Sequence, residues 1–307
     1  YSGVALQVPS QRAFVTENEI YGNRYGIDSS AGAGSLIANN VVHNNIFRGI
    51  VNGFNGAARI IGNTVYGQSE AGAVGIESTQ EVGGNVVYDN YDGISGANVH
   101  DNRVFNNSHV GIRSLGTVLA NRVYSNSIGI QIDGGGSTSA VADNIVYANT
   151  NTGILLNNAT FSRRLDVVNN TVYQSVGDAV RILGSGQNIR LRDNIFWVEA
   201  GYNIFVASSA QSGVTSDYNL LYTGTDPNAR VGFWNNTNQD DLAAWRAASG
   251  KDASSLDSQP QFVDRDGADN LFGYAQVNSL FIDGGSDDNF YLRANSPGID
   301  SGYSWSY

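Results

Sequence analysis

An all-β solenoid, a parallel β-helix with three short strands in each turn, is the fold this sequence predicts. Three recurring columns predict it. The first is Asn-x-Val-Tyr, led by Asn18, Asn40, Asn63, Asn85, Asn102, Asn121, Asn144, Asn170, Asn194 and Asn219 at intervals of 17 to 26 residues. The second is Gly-Ile, eight or nine residues later in most turns, from Gly26-Ile27 to Gly153-Ile154, degrading to Ala179-Val180 and Asn203-Ile204. The third is an apolar residue three positions before each Asn, from Val15 to Leu191.

Each column element justifies a strand or a bend. The β-branched runs alternate one residue in and one out, and Gly, Asn and Ser separate them. Stacked on its equivalent one turn away, at a spacing of roughly 4.8 Å, every strand finds a partner above and below. The Asn column fits a ladder of side-chain amides at a tight corner, since Asn tolerates the left-handed backbone such corners need. Ten separate glycan or ligand contacts would be the alternative. The glycines before Ile are expected to serve backbone geometry in the same way. The aromatic residues closing each motif, from Tyr21 to Tyr222, face outward by strict alternation and can stack on sugars. A structural ladder of rings explains better why they occupy every turn.

Residues 1–239 form the solenoid in this reading, and 240–307 a capping segment packed on it. Ser2-Gly3-Val4 matches the Gly-Ile column, so the chain starts part-way through a turn and is expected to be a processed piece of a larger parent protein. Asp240 to Gly250 reads as a short helix with acidic residues at its start, an apolar stripe of Leu242, Trp245 and Ala248, and a glycine stop. It is expected to cover the last rung, with the irregular remainder draped over that end or one flank.

A formal net charge of −11 argues against nucleic acid or an anionic membrane as the main partner. No apolar run is long enough to insert in a bilayer. There is no Cys, hence no disulfide scaffold, and Lys251 is the single lysine.

The Asn-x-Val-Tyr and Gly-Ile turns resemble the right-handed parallel β-helix repeat family of the pectate-lyase-like superfamily, strongly over residues 2–222. The tail is similar to that of bacterial secreted members: Leu242-Ala-Ala-Trp245-Arg, Gly250-Lys-Asp252, Pro260-Gln-Phe262 and Ser296-Pro297-Gly-Ile-Asp300. The resemblance implies a right-handed coil at the cell surface or outside the cell. It also implies packing for Lys251. It does not choose among polysaccharide lyases, glycoside hydrolases, epimerases and non-catalytic adhesins.

Turn length points to a site. The turns starting at Gly75, Gly93 and Gly111 are shorter than those on either side, so a saddle-shaped groove suited to an extended polysaccharide is expected there. Its far wall would include Asp133 to Gly136 and Asn157 to Arg164. Outward positions give Glu77, Arg113 and His100 as candidate catalytic groups: arginine to hold a uronate anion, another group to take a proton. Glu81, Ser95, Gln131 and Asp133 are candidate substrate contacts, and Trp234 and Tyr202 weaker sugar platforms. Paired carboxylates would suit hydrolysis instead. A passive stalk or adhesin segment needs none of these. Asp264, Asp266 and Asp269, around Gly267, resemble the start of a Ca²⁺ loop, although Ala275 stands where the closing glutamate would be. No organic cofactor is called for.

Overall fold

The computed structural model describes residues 1–8, 10–53, 55–134, 139–157, 160–185, 187–278 and 280–303, without the side chains of 139, 160–163 and 187. The chain divides into two compact units, Tyr1–Gln131 and Ile132–Tyr307. Both are parallel β-solenoid, and the fold class is the one the sequence predicts.

In unit 1 the Asn-x-Val-Tyr column forms six stacked strands: Glu19–Tyr21, Val41–His43, Thr64–Tyr66, Val86–Tyr88, Arg103–Phe105 and Arg122–Tyr124. The Gly-Ile strands Ser2–Leu6, Tyr25–Ser29 and Arg48–Asn52 stack with Val4, Ile27 and Ile50 in register. The apolar-column strands Phe14–Thr16, Leu36–Ala38 and Arg59–Ile61 do the same. In the three short turns these two runs fuse. Val74–Gly83, Asp92–His100 and Val110–Leu119 each carry both, with register shifts after Ser78 and Gly96. Like residues meet in the core: Ile27, Ile50, Ile76, Ile94 and Ile112 in one file, Val42, Val65, Val87, Val104 and Val123 in another, all fully buried. Each contributes about 1.5–3 kcal/mol relative to exposure.

The amide ladder is present. From Asn18 to Asn102, each Asn offers its backbone N–H and its Nδ2 to Oδ1 of the next Asn, at 2.8–3.1 Å. A second ladder runs five residues further on through Asn23, Asn45, Gln68, Asn90, Asn107 and Asn126. The sequence carries it as Asn-x-x-x-x-Asn, a spacing easy to pass over beside the stronger column.

Two expectations about these corners are corrected. The left-handed residue is not the ladder Asn but the one before it, such as Asn39 at φ 54° and Ala120 at φ 54°. The ladder Asn satisfies the corner instead, its Nδ2 bonding the carbonyl two residues back. The Gly of Gly-Ile does not adopt a positive φ either. It is required by close approach: a Cβ on Gly26 would lie 2.6 Å from Val42 Cγ1.

In unit 2 four column strands, Ile145–Tyr147, Thr171–Gln174, Ile195–Val198 and Leu220–Thr223, continue the same pattern. Its Gly-Ile-type strands are Thr152–Asn157, Asp178–Ile182, Gly201–Val206 and Ala229–Trp234. Its amide ladder runs Asn144, Asn170, Asn194, Asn219 and ends on Ser255 Oγ, which accepts from Asn219 N at 2.8 Å. Buried Asp252 finishes it, accepting from Asn219 Nδ2, Ser216 Oγ, Ser255 Oγ and Trp245 Nε1. The helix Leu242–Ser249 is capped by Asp241 and stopped by left-handed Gly250, and fully buried Trp245 faces Gly232 of the last Gly-Ile-type strand. Lys251 packs as expected, its Nζ 5.0 Å from the Trp234 ring, and burial pushes its pKa down.

The remainder of the tail lies along the aromatic flank of unit 2. Phe272 and Phe290 contact Tyr147, whose hydroxyl donates to Gly285 O, and Phe262 stacks on Trp197. Arg265 lies over both Tyr173 and Trp197 at 4.8 and 4.7 Å. No helix among the described residues is long and apolar enough to cross a membrane.

Candidate binding face on the short turns

The short turns of unit 1 lose the bends that, in the preceding turns, separate Tyr25–Ser29 from Leu36–Ala38 and Arg48–Asn52 from Arg59–Ile61. At two of the three junctions a hydroxyl accepts from the backbone, Ser78 Oγ from Gln80 N and Ser114 Oγ from Gly116 N, both at 3.0 Å; Gly96 stands at the third. The two runs follow each other directly, and their outward side chains share one surface.

Three expected residues are brought together. Glu77, Ser95 and Arg113 are register partners on successive strands, so Glu77 and Arg113 stand two rungs apart. Glu77 and Arg113 already have polar company. Arg48 Nε donates to Glu77 Oε2 and its Nη1 to the carbonyls of Phe47 and Gly72. The Arg113 guanidinium stands 3.8 Å from Asp92 Oδ2.

His100 is not part of that group. It belongs with Glu81, on the other side of the register shift. Its Nε2 is 3.3 Å from Glu81 Oε1 and its Nδ1 2.8 Å from Asp101 Oδ2. Arg59 grips the same Glu81 through Nε and Nη2 at 2.5 and 2.8 Å. That hydrogen bond holds the Glu81 carboxyl below its ordinary range, against burial, with a smaller contribution from His100. Gly83 makes room for the imidazole, for a Cβ there would sit 2.5 Å from His100 Cε1. The proposed trio is thereby two clusters, because the register shift within each fused strand sets His100 and Glu81 apart from the file of Glu77, Ser95 and Arg113.

The residue that sequence reasoning missed is His109, with its partner Asp92. His109 Nδ1 lies 2.8 Å from Asp92 Oδ1, which also accepts from Val110 N at 3.1 Å. With Nδ1 donating to the carboxylate, the neutral imidazole carries its lone pair on Nε2. The ring is partly exposed and lies 5.0 Å from Tyr91. A signal was available: the position before Gly in the Gly-Ile column is held by Tyr25, Arg48, Val74, Val110, Ile128 and Thr152, and Asp92 puts a carboxylate there, as Asp178 does before Ala179-Val180.

Other candidates fall away from this face. Gln131 is buried. Asp133 lies in unit 2 and accepts from Asn157 Nδ2 at 3.4 Å. Of the expected far wall, residues 135–138, 158 and 159 lie outside the described ones. Trp234 is buried against Trp245, and Tyr202 packs against Phe205 and Phe233, so neither is a free platform. Asp264, Asp266 and Asp269 are not gathered, and no metal-type group of three His, Cys, Asp or Glu occurs among the described residues. Their loop is closed by backbone contacts instead. Asp269 Oδ1 accepts from Leu271 N, Asp287 Oδ2 from Ala268 N, and Asp288 Oδ2 from Gly273 N.

Comparison with known proteins agrees with this architecture. The model of the right-handed beta helix region matches residues 113–196, and that of the periplasmic copper-binding protein NosD matches residues 1–113. A Bacillus subtilis (strain 168) protein, the uncharacterized protein YwoF, is 26% identical over 195 residues, 60% of this chain and 35% of the relative. The chain therefore spans about a third of that relative's length. No solved structure matches.

Proposed function

The chain is a right-handed parallel β-helix repeat protein, and from that premise we propose that it binds an extended polysaccharide on the short-turn face of unit 1, outside the cytoplasm. One observation carries the reading. His109, Ser95, Arg113 and Glu77 line one surface of the short turns, with buried Asp92 holding His109 and Arg113 from below and Arg48 of the preceding turn holding Glu77, on strands that repeat at about 4.8 Å. Such a surface offers regularly spaced donors and acceptors to a hydroxyl-rich polymer and a guanidinium to any anionic group on it. The periplasmic description of the family matching residues 1–113 supports the location.

Copper, which that family's description also names, does not fit the residues present. The sequence has no Cys or Met to supply soft ligands. Its three histidines sit in separate places, each beside a carboxylate: His43 with Glu19, His100 with Glu81 and Asp101, His109 with Asp92.

A second reading is favoured by the Asp92–His109 pair. Oriented by the carboxylate, His109 Nε2 can accept a proton beside an anion held by Arg113, the arrangement a lyase needs. The two readings separate in one experiment, a glycan array of the full chain followed by product analysis. Binding without new ends, weakened about tenfold or more in Arg113→Ala, is expected of the binding module. Unsaturated or reducing ends that disappear in His109→Ala would establish the enzyme. Silence across the whole array would leave the face a structural surface and end both readings.

A further inference from the structure

Unit 2 holds an arginine-lined groove that the short-turn face does not involve. It has a volume of about 630 Å³ and is lined by Arg164, Arg190, Arg192, Asn188, Ser212 and Thr215, with backbone from Ile189 and Gly213. Three of the sixteen arginines of an acidic chain converge here. Asp166 neutralises them only in part: its single oxygen Oδ1 accepts from Arg164 Nε at 2.7 Å and from Arg190 Nε at 2.8 Å. Arg192 has no carboxylate partner among the described residues. Its guanidinium lies 4.2 Å from the Tyr303 ring. Nearby Asp217 Oδ1 is taken by the backbone N–H groups of Tyr218 and Ser254, and Asp193 Oδ1 by that of Tyr303. Asp217, the register partner of Arg192, and Asp193 also stand close by, but the lining itself carries three guanidiniums and no carboxylate, a surplus of positive charge at the groove wall in a molecule of net charge −11.

From this surplus we infer that the groove is an oxyanion-binding site that takes the carboxylate or sulfate ester of an acidic saccharide. Register fixes the arrangement: Asp166, Arg190 and Thr215 are partners on neighbouring strands, so the Arg190 guanidinium is held by Asp166 with a hydroxyl one rung away. Guanidinium forks match planar carboxylate and sulfate oxygens, and the hydroxyl and amide groups of Thr215, Ser212 and Asn188 suit sugar hydroxyls. A nucleic-acid polymer would meet the acidic remainder of the surface wherever it left the groove. The saccharide half of the inference rests on the reading of unit 1; the oxyanion half does not.

The test is titration calorimetry of the full chain with a glucuronate-containing disaccharide, a neutral disaccharide and inorganic sulfate. The acidic disaccharide is expected to bind more tightly than sulfate, to weaken with added salt and to lose about tenfold or more in affinity in Arg190→Gln. The neutral disaccharide is expected not to compete. Arg192→Gln, which leaves the Asp166 pairs intact and gives up only the Tyr303 ring contact, is expected to reproduce the loss with a melting temperature lowered by no more than a few degrees, and so separates recognition from folding. Equal binding by wild type and both variants, equal binding of the neutral sugar, or sulfate binding as tightly as the disaccharide (an adventitious ion only) would each overturn the assignment. A silent glycan array with positive acidic-disaccharide titrations would sink the unit 1 reading alone.

Discussion

The same aromatic column behaves differently in the two units. In unit 1, Tyr21, His43, Tyr66, Tyr88, Phe105 and Tyr124 stack face to face, centroids 4.8–5.0 Å apart and planes within 14°. In unit 2, Tyr173, Trp197 and Tyr222 meet edge to face at 89° and 84°. Strand spacing permits the first geometry, because rings on parallel neighbours one rung apart can lie parallel and in contact. The second belongs to a roof. The tail brings Phe262, Phe272, Phe290 and Arg265 onto the column, and the rings turn to fill the volume between them. A repeat thus supplies a row of rings, and what covers the row decides whether it is a ladder or a core.

That contrast is open to direct attack. The largest effect is expected from Phe290→Ala, which removes a buried ring from the roof and should cost about 3–5 kcal/mol in denaturant unfolding, with a shift in tryptophan emission as Trp197 is wetted. Tyr66→Ala, in the partly exposed ladder, should cost only about 1 kcal/mol beyond any small change in buried area. Comparable losses in the two variants would erase the distinction between roof and ladder.

Acid should separate the units in the opposite sense, and more weakly. The Glu81 pKa is lowered by Arg59, so its contribution is complete above the ordinary value of 4.5 and disappears as pH falls through the depressed one. The stability advantage of wild type over Glu81→Gln should therefore shrink in acid, and being a mostly solvent-facing pair it should stay below about 1 kcal/mol. In unit 2 the Asp178 pKa is raised, chiefly by burial, against Arg181 and the Tyr202 N–H. Its ionisation costs stability as pH rises from the ordinary value of 3.8 through the raised one, so Asp178→Asn should gain on wild type over that window. Melting curves of both variants between pH 3 and 7 check the two signs, and parallel curves would remove the argument.

Much of this was readable from residue order. Asn85, Asn102 and Asn121 predicted their own ladder because a buried amide at a repeated corner has few other partners than its equivalent. Glu77, Ser95 and Arg113 were legible as one file for the same reason: a constant offset from Gly-Ile becomes a shared face once the coils stack. His100 was grouped with Glu77 and Arg113 because the shift at Gly96–Asn98 breaks alternation between the two runs, and such a register shift is invisible in sequence. Asp92 and His109, seventeen residues apart, meet only because the short turn makes them neighbours.

Sequence alone determined the coil, its period, its buried files of Ile and Val, and the short turns that expose one face, since each follows from local alternation and repeated contacts between equivalent residues. Tertiary structure alone decided that the tail roofs the aromatic flank, that Asp252 ends the ladder, and that Arg164, Arg190 and Arg192 share one groove. The first two join residues with no common period; the arginines lie on neighbouring rungs, but the faded repeat there does not mark them out, and only the three-dimensional path of the chain shows that they line one groove.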